Sequence, residues 1–266
     1  MNSYPKEIGM TYKVDLNSDL GESFGAYHMG QDSEIIPLIS SANIACGFHA
    51  GDPLVMLTTT RLVQENKIAM GAHPGFSDLM GFGRRNLQIS TKEAAADTTY
   101  QIGALDAFAK ASNMQLQHVK PHGALYNMAC KDSKLARAIA QAVASYDDRL
   151  ILLCPGASEL ALAAKASGLR VAKEVFADRA YENDGSLVSR NKEGAMITDE
   201  HLAIERLIQM IKEKTVVSID GKTIPIEADS VCVHGDGPKA LQFVNEIRQA
   251  FQQEGIAISP LADVVD

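Results

Sequence analysis

Apolar residues along this 266-residue chain gather into seven short runs, and nearly every run ends in polar or charged residues. In order they cover 14–19, 42–49, 69–73, 118–122, 150–154, 171–179 and 231–236. Short aliphatic runs bounded by turn residues read as strands. Helical patterns fill most of the intervals, several with explicit start signals. Asp52-Pro53 offers an N-cap and a first-turn proline for a helix over 54–65. Ser90-Thr91-Lys92-Glu93 is a capping box that predicts a helix to about Ala111. Asp132-Ser133 opens one to about Ser145, Thr198 one to about Lys214, and Gly237-Pro238 one to about Gln253.

Strands that alternate with helices pair in parallel, and parallel βα units carry their carboxyl ends on one face. The expected fold class is therefore α/β, about seven βα units closed or nearly closed into a single β/α barrel over residues 1–266, with an N-terminal extension at 1–11. An open doubly wound sheet fits the same periodicity. Residues 216–226 break the rhythm: apolar alternation on both sides of Asp220-Gly221 is a hairpin signal, an excursion over 215–229 before the last strand. Two long loops, 21–33 and 74–89, follow strands, where lids and binding loops are found. No linker-like tract or fixed-period repeat divides the chain, which favours one domain.

Charge narrows the function. With 25 basic against 33 acidic residues and a net charge of -8, the chain lacks the electrostatic footprint of a protein for nucleic acid or anionic membrane, which leaves a small-molecule substrate. The four cysteines form no C-x-x-C pair and three lie in apolar runs, the pattern of buried reduced thiols. Residues 1–11 contain no apolar signal region, and no run reaches the roughly 18 apolar residues of a membrane span, so a cytoplasmic location is expected. Neither G-x-G-x-x-G after the first strand nor a Walker A sequence is present, so neither standard phosphate loop supports nucleotide binding here.

The chemistry-bearing residues cluster at the strand exits. In the first run Asp15, Asn17 and Asp19 share one side of an extended strand, which in a barrel is the interior; alternatively, Asp19 and Glu22 cap a turn. His73 and His122 each stand beside proline and glycine, which fix the backbone and let a ligand approach. Asp19, His73 and His122 make a set of one carboxylate and two imidazoles that suits a divalent metal, while a metal-free polar site and ordinary structural histidines are the competing readings. His49 precedes a helix N-terminus, where an anion is favoured, and is placed to donate or exchange protons. Cys46, three residues earlier, is either a nucleophile or a packed thiol. Asp236, in His234-Gly235-Asp236-Gly237, either caps the last helix or acts as a base. Arg84, Arg85, Lys120, Arg179 and Arg190 are cations for carboxylate or phosphoryl oxygens, with Lys120 the best placed.

Six blocks, among them Asp15-Leu16-Asn17-Ser18-Asp19-Leu20-Gly21-Glu22, Asn43-Ile44-Ala45-Cys46-Gly47-Phe48-His49, Lys120-Pro121-His122-Gly123 and Glu174-Val175-Phe176-Ala177-Asp178-Arg179, resemble the LamB/YcsF family in the family's order. The resemblance implies a barrel similar to those of the glycoside hydrolase/deacetylase superfamily, in which a carboxylate and two histidines hold a metal; the matching positions are Asp19, His73 and His122. It also implies a hydrolase acting on a cyclic amide: one component of a 5-oxoprolinase that, with subunits B and C and with ATP as co-substrate, opens 5-oxo-L-proline to L-glutamate. Such chemistry needs a base for water, donors for the oxyanion and cations for phosphate. The catalytic candidates are Asp15, Asp19, His49, Lys120 and Asp236. Asn17, Glu22, Asn43, Arg85 and Arg179 are the substrate-binding candidates, and Asp19, His73 and His122 the metal candidates. The alternatives are a stand-alone metal-dependent deacetylase or amidohydrolase and a non-catalytic binding subunit.

Overall fold

The computed structural model describes residues 12–233 and 240–266. In chain order its elements are β1 (Tyr12–Leu20), α1 (Asp32–Ile35), β2 (Ser41–Ala45), α2 (Pro53–Glu65), β3 (Ala69–His73), α3 (Thr91–Ala111), β4 (Leu116–Val119), α4 (Gly123–Ala129) and α5 (Ser133–Tyr146). There follow β5 (Ile151–Cys154), α6 (Glu159–Ala166), β6 (Arg170–Phe176), α7 (Glu200–Lys212), β7 (Thr215–Val217), β8 (Thr223–Pro225), β9 (Ser230–Cys232), α8 (Ala240–Gln253) and β10 (Ile256–Ile258). Strands β1 to β6 pair in sequence, β6 pairs with β9, and β9 returns to β1, all in parallel, so seven strands close into a barrel. β10 adds to the first residues of β1 outside the ring, and β7 and β8 form an antiparallel hairpin.

Local chemistry accounts for most boundaries. The Asp52 carboxylate accepts from the amides of Leu54 and Val55, Ser90 and Glu93 complete their capping box, and Asp132 caps α5. α7 is capped by Asp199, one residue after Thr198, because the Asp199 carboxylate takes the Leu202 amide. The run 42–49 is strand only to Ala45: Gly47, at φ +89, turns the chain and its amide bonds the Ala50 carbonyl. The run 171–179 leaves the sheet after Phe176. His234 and Asp236, and with them the start expected for the last helix, lie outside the described residues.

The inward positions of the barrel carry hydrogen-bonding groups where aliphatic side chains would be usual. Asp15, at its amino-terminal side, accepts from Ser40 at 2.7 Å, from Ser41 at 2.6 Å and from Ser230. Above it Asn17 donates to Ser230 and accepts from Asn43, which also donates to Asp19 at 2.8 Å and accepts from the His118 ring at 2.7 Å. Gly71 makes room for that ring, since a Cβ there would lie 2.1 Å from His118 Nε2.

Asp15 is therefore corrected as a catalytic candidate. It is fully buried, saturated by hydroxyls and four residues below Asp19 on the same strand, roughly 13 Å along it. Burial lifts its pKa from 3.8 to about 6, against the hydroxyl bonds that lower it. A folded-state value above the unfolded one means that Asp15 favours folding below about pH 3.8, and that this contribution is lost as pH rises through 6, roughly 3 kcal/mol in all. Asp15→Asn should flatten the stability profile between pH 4 and 6 in urea titrations, with turnover changed less than about threefold.

Candidate active site

Asp19 is the last residue but one of β1, at the carboxyl rim of the barrel. Its Oδ1 accepts from Asn43 Nδ2 at 2.8 Å and Lys120 Nζ at 2.9 Å, while Oδ2 lies 3.3 Å from His73 Nε2. Lys120 is buried and spends its ammonium on four partners: Glu174 Oε1 at 2.7 Å, Asp19 at 2.9 Å, Asn17 at 3.2 Å and Cys232 Sγ at 3.3 Å. Burial opposes its charge, but Asp19, Cys232 and Glu174 together overcome that and hold its pKa well above 10.5. An ammonium has three donors. Lys120 is thus a clamp on Asp19 and Glu174, with no donor to spare for phosphate. Glu174 also accepts from Tyr126 at 2.6 Å.

Three imidazoles gather beside Asp19. His49 stacks flat on His122, with centroids 3.7 Å apart and an interplanar angle of 2°, and His73 stands edge-on to both. Two backbone carbonyls select the tautomers. His73 Nδ1 faces the Lys120 carbonyl at 2.7 Å and His122 Nε2 the Phe82 carbonyl at 2.9 Å, so both nitrogens carry the proton. In the neutral rings His73 Nε2 and His122 Nδ1 then point lone pairs at each other across 3.0 Å. Burial, and then the neighbouring imidazole His73, push His122 down to about 3; burial, His122 and His73 hold His49 well below 6.5.

That confrontation of lone pairs calls for a cation or a proton between them. Glu22 Oε1 lies 3.5 Å from both His122 Nδ1 and His49 Nε2, and among the described residues neither it nor His49 Nε2 has a hydrogen-bond partner. Burial, then the charge of Asp19, raises Glu22 to about 8. Donor atoms of Glu22, His49, His73 and His122 all fall within 4.8 Å of one another. Metal–ligand bonds of about 2.0 Å place tetrahedral ligands roughly 3.3 Å apart, so the spacings of 3.0 and 3.5 Å match. His49 is the exception, since lone pairs of two parallel rings cannot converge on one ion. Glu22, His73 and His122 form a donor set that fits a divalent cation, and Asp19, the carboxylate expected with the two imidazoles, places Oδ2 3.3 Å from His73 Nε2, the nitrogen turned toward that cation.

The loop 74–90 closes one side. Phe82, at φ +53, adopts a conformation costly for a bulky residue; its carbonyl binds His122 and its ring stands edge-on to His49 and His122. Gly83 lies so close that a Cβ would meet His49 at 2.7 Å and His122 at 2.9 Å. Asp19, His73, Lys120 and His122 face a cleft of about 190 Å³ whose walls include Phe176 and whose lining includes Arg84, Arg179 and Arg190.

The LamB/YcsF family profile matches residues 14–266. The 5-oxoprolinase A subunit of Clostridium beijerinckii is 62% identical over 250 residues, 94% of this chain and 98% of that protein. The chain belongs to the LamB/YcsF family. Another similar protein is the 5-oxoprolinase A subunit of Pyrococcus abyssi, 52% identical over 95% of this chain and 99% of that one. Among solved structures, the lactam utilization protein of Thermus thermophilus superposes with a TM-score of 0.89 at 47% identity, covering 93% of this chain and 99% of the other.

In this LamB/YcsF chain the rim brings together Asp19, Glu22, His49, His73, Lys120 and His122. Asn17 and Asn43, expected against substrate, lie fully buried and bond to Asp19, Lys120 and each other. Arg85 is turned away into an ion pair with Asp78, and its neighbour Arg84 lines the cleft instead. Cys46 is a packed thiol: burial pushes it up to about 12 and it bonds the Ile44 carbonyl. Sequence reasoning passed over Glu174 and His118. Both carried a signal, a carboxylate inside the apolar run 171–179 and a polar residue two before Lys120 on the same strand face.

Proposed function

We propose that this chain opens the lactam of 5-oxo-L-proline to L-glutamate as one component of an ATP-dependent 5-oxoprolinase, with subunits B and C as partners. The observation that carries this reading is Asp19, clamped through one oxygen by Lys120 and Asn43, with the other beside His73 at the base of a small cleft. The near full-length likeness to proteins named as 5-oxoprolinase A subunits and to a lactam utilization protein supports it.

A lactam carbonyl is a poor electrophile. Transfer of a phosphoryl group from ATP to the lactam oxygen forms a P–O bond, releases ADP and makes the ring carbon open to attack. Water adds to that carbon as Asp19 takes its proton. The C–N bond breaks, the nitrogen gains a proton, and a second water releases phosphate from the resulting acyl phosphate to leave glutamate. Lys120 and Asn43 fix Asp19 for this transfer, and the apolar Phe176 ring in the cleft wall limits water there. A divalent cation held by His73, His122 and Glu22 would supply Lewis acidity toward a carbonyl oxygen or water.

The test is glutamate release from 5-oxo-L-proline with ATP, with and without subunits B and C. Release only in the full set is expected; amide hydrolysis by the chain alone without ATP, abolished by chelation, would replace this reading with the stand-alone hydrolase. Equilibrium dialysis against Zn²⁺ should find one ion per chain, and His73→Ala should weaken that binding by about a hundredfold or more while circular dichroism stays unchanged.

A further inference from the structure

With its donors spent on Asp19 and Glu174, Lys120 leaves the recognition of anionic groups to other residues. Three guanidiniums line the same cleft: Arg84, Arg179 and Arg190. Among the described residues none of the three has a carboxylate within ion-pair distance. Arg84 rests on the Phe82 ring, 4.9 Å from its centroid. Arg179 is 7% exposed; it donates one bond, to the Val188 carbonyl at 2.6 Å, and its Nε has no partner among the described residues. Burial and then repulsion from Arg190 disfavour its charge, and Asp178 only partly offsets them. The buried Arg179 charge is the costly one, and with two further guanidiniums facing the same cleft an anion bound there would offset that cost.

We propose that Arg84, Arg179 and Arg190 form a subsite selective for small ligands bearing two anionic groups at once, a carboxylate and a phosphoryl group. Guanidiniums suit both groups because each presents paired donors in a plane. Resting on the function proposed above, the inference names the form of substrate this cleft holds: the phosphorylated lactam and the acyl phosphate derived from it, in preference to the free lactam. The lysine that the sequence put forward for phosphate instead holds the base, and the arginines hold the charge that ATP adds.

The test is isothermal titration of the full chain with 3-phosphonopropionate, which carries both groups, and with propionate and ethylphosphonate, which carry one each. The two-group probe should bind at least about tenfold more tightly than either single-group probe. Arg84→Ala and Arg190→Ala, both at exposed positions, should each remove most of that advantage, whereas Arg137→Ala on the outer face of α5 should retain it. Equal binding of the three probes, or an undiminished advantage in both variants, would overturn the subsite. In the reconstituted complex, variants with wild-type kcat/KM overturn the subsite and leave the proposed function standing. A wild-type complex that releases no glutamate removes the proposed function, while the probe titrations still decide whether the cleft selects two anionic groups.

Discussion

Asp19→Asn is expected to cut the rate of lactam opening by about 10²- to 10⁴-fold while leaving the KM for 5-oxoproline within about threefold. Asparagine keeps the size of the side chain and can still accept from Lys120 and Asn43 through its oxygen, so the clamp survives. Its amide nitrogen, however, replaces the oxygen that lies 3.3 Å from His73 Nε2, and that nitrogen takes no proton from water. Removing a base acts on the transition state, which is why kcat falls and KM does not. Steady-state kinetics on the reconstituted complex, with thermal melts to show that the variant is folded, decide the matter. Near-normal turnover would move the base to Glu22, whose burial and proximity to Asp19 raise its pKa to about 8 and make it the next acid–base group in the site.

Much of this architecture was legible because it rests on local rules. Asp52, Ser90 with Glu93, and Asp132 cap helices through contacts within four residues, and the chain shows such contacts directly. The seven strand runs, each between helical segments, carry the parallel order that closes the barrel. The site was legible as a set of exits, since Asp19, His73, Lys120 and His122 do meet. What the chain does not reveal is depth. Asp15 and Asp19 share one strand face, so periodicity treats them alike, yet register pairs Asp15 with Ser230 at the start of β9 and Asp19 with Asn43 further along β2. Nor does sequence decide which of two adjacent arginines faces inward; the Asp78 carboxylate settles it by capturing Arg85.

Depth also explains why Lys120 should be the costliest single change in the barrel. Lys120→Met keeps much of the length and apolar stem but removes the cation that touches both Asp19 and Glu174. Glu174 is 3% exposed and keeps only the Tyr126 hydroxyl as a donor among the described residues. Taking one partner from a buried ion pair typically costs about 3 to 5 kcal/mol, because a desolvated charge is left uncompensated. The deficit should depend on pH. Removing the ammonium leaves two desolvated carboxyls with fewer partners, a cost borne by their charged forms and therefore larger near neutrality than in acid. Urea denaturation of the wild type and the variant at pH 4.5 and pH 7.5 measures this directly. A Glu174→Gln second change should recover part of the loss at pH 7.5, since it removes one of the two stranded charges, but it should not restore turnover, because Asp19 still lacks its clamp. A Lys120→Met chain as stable as the wild type at pH 7.5 would mean that solvent, and not Lys120, balances the charges at the centre of the barrel.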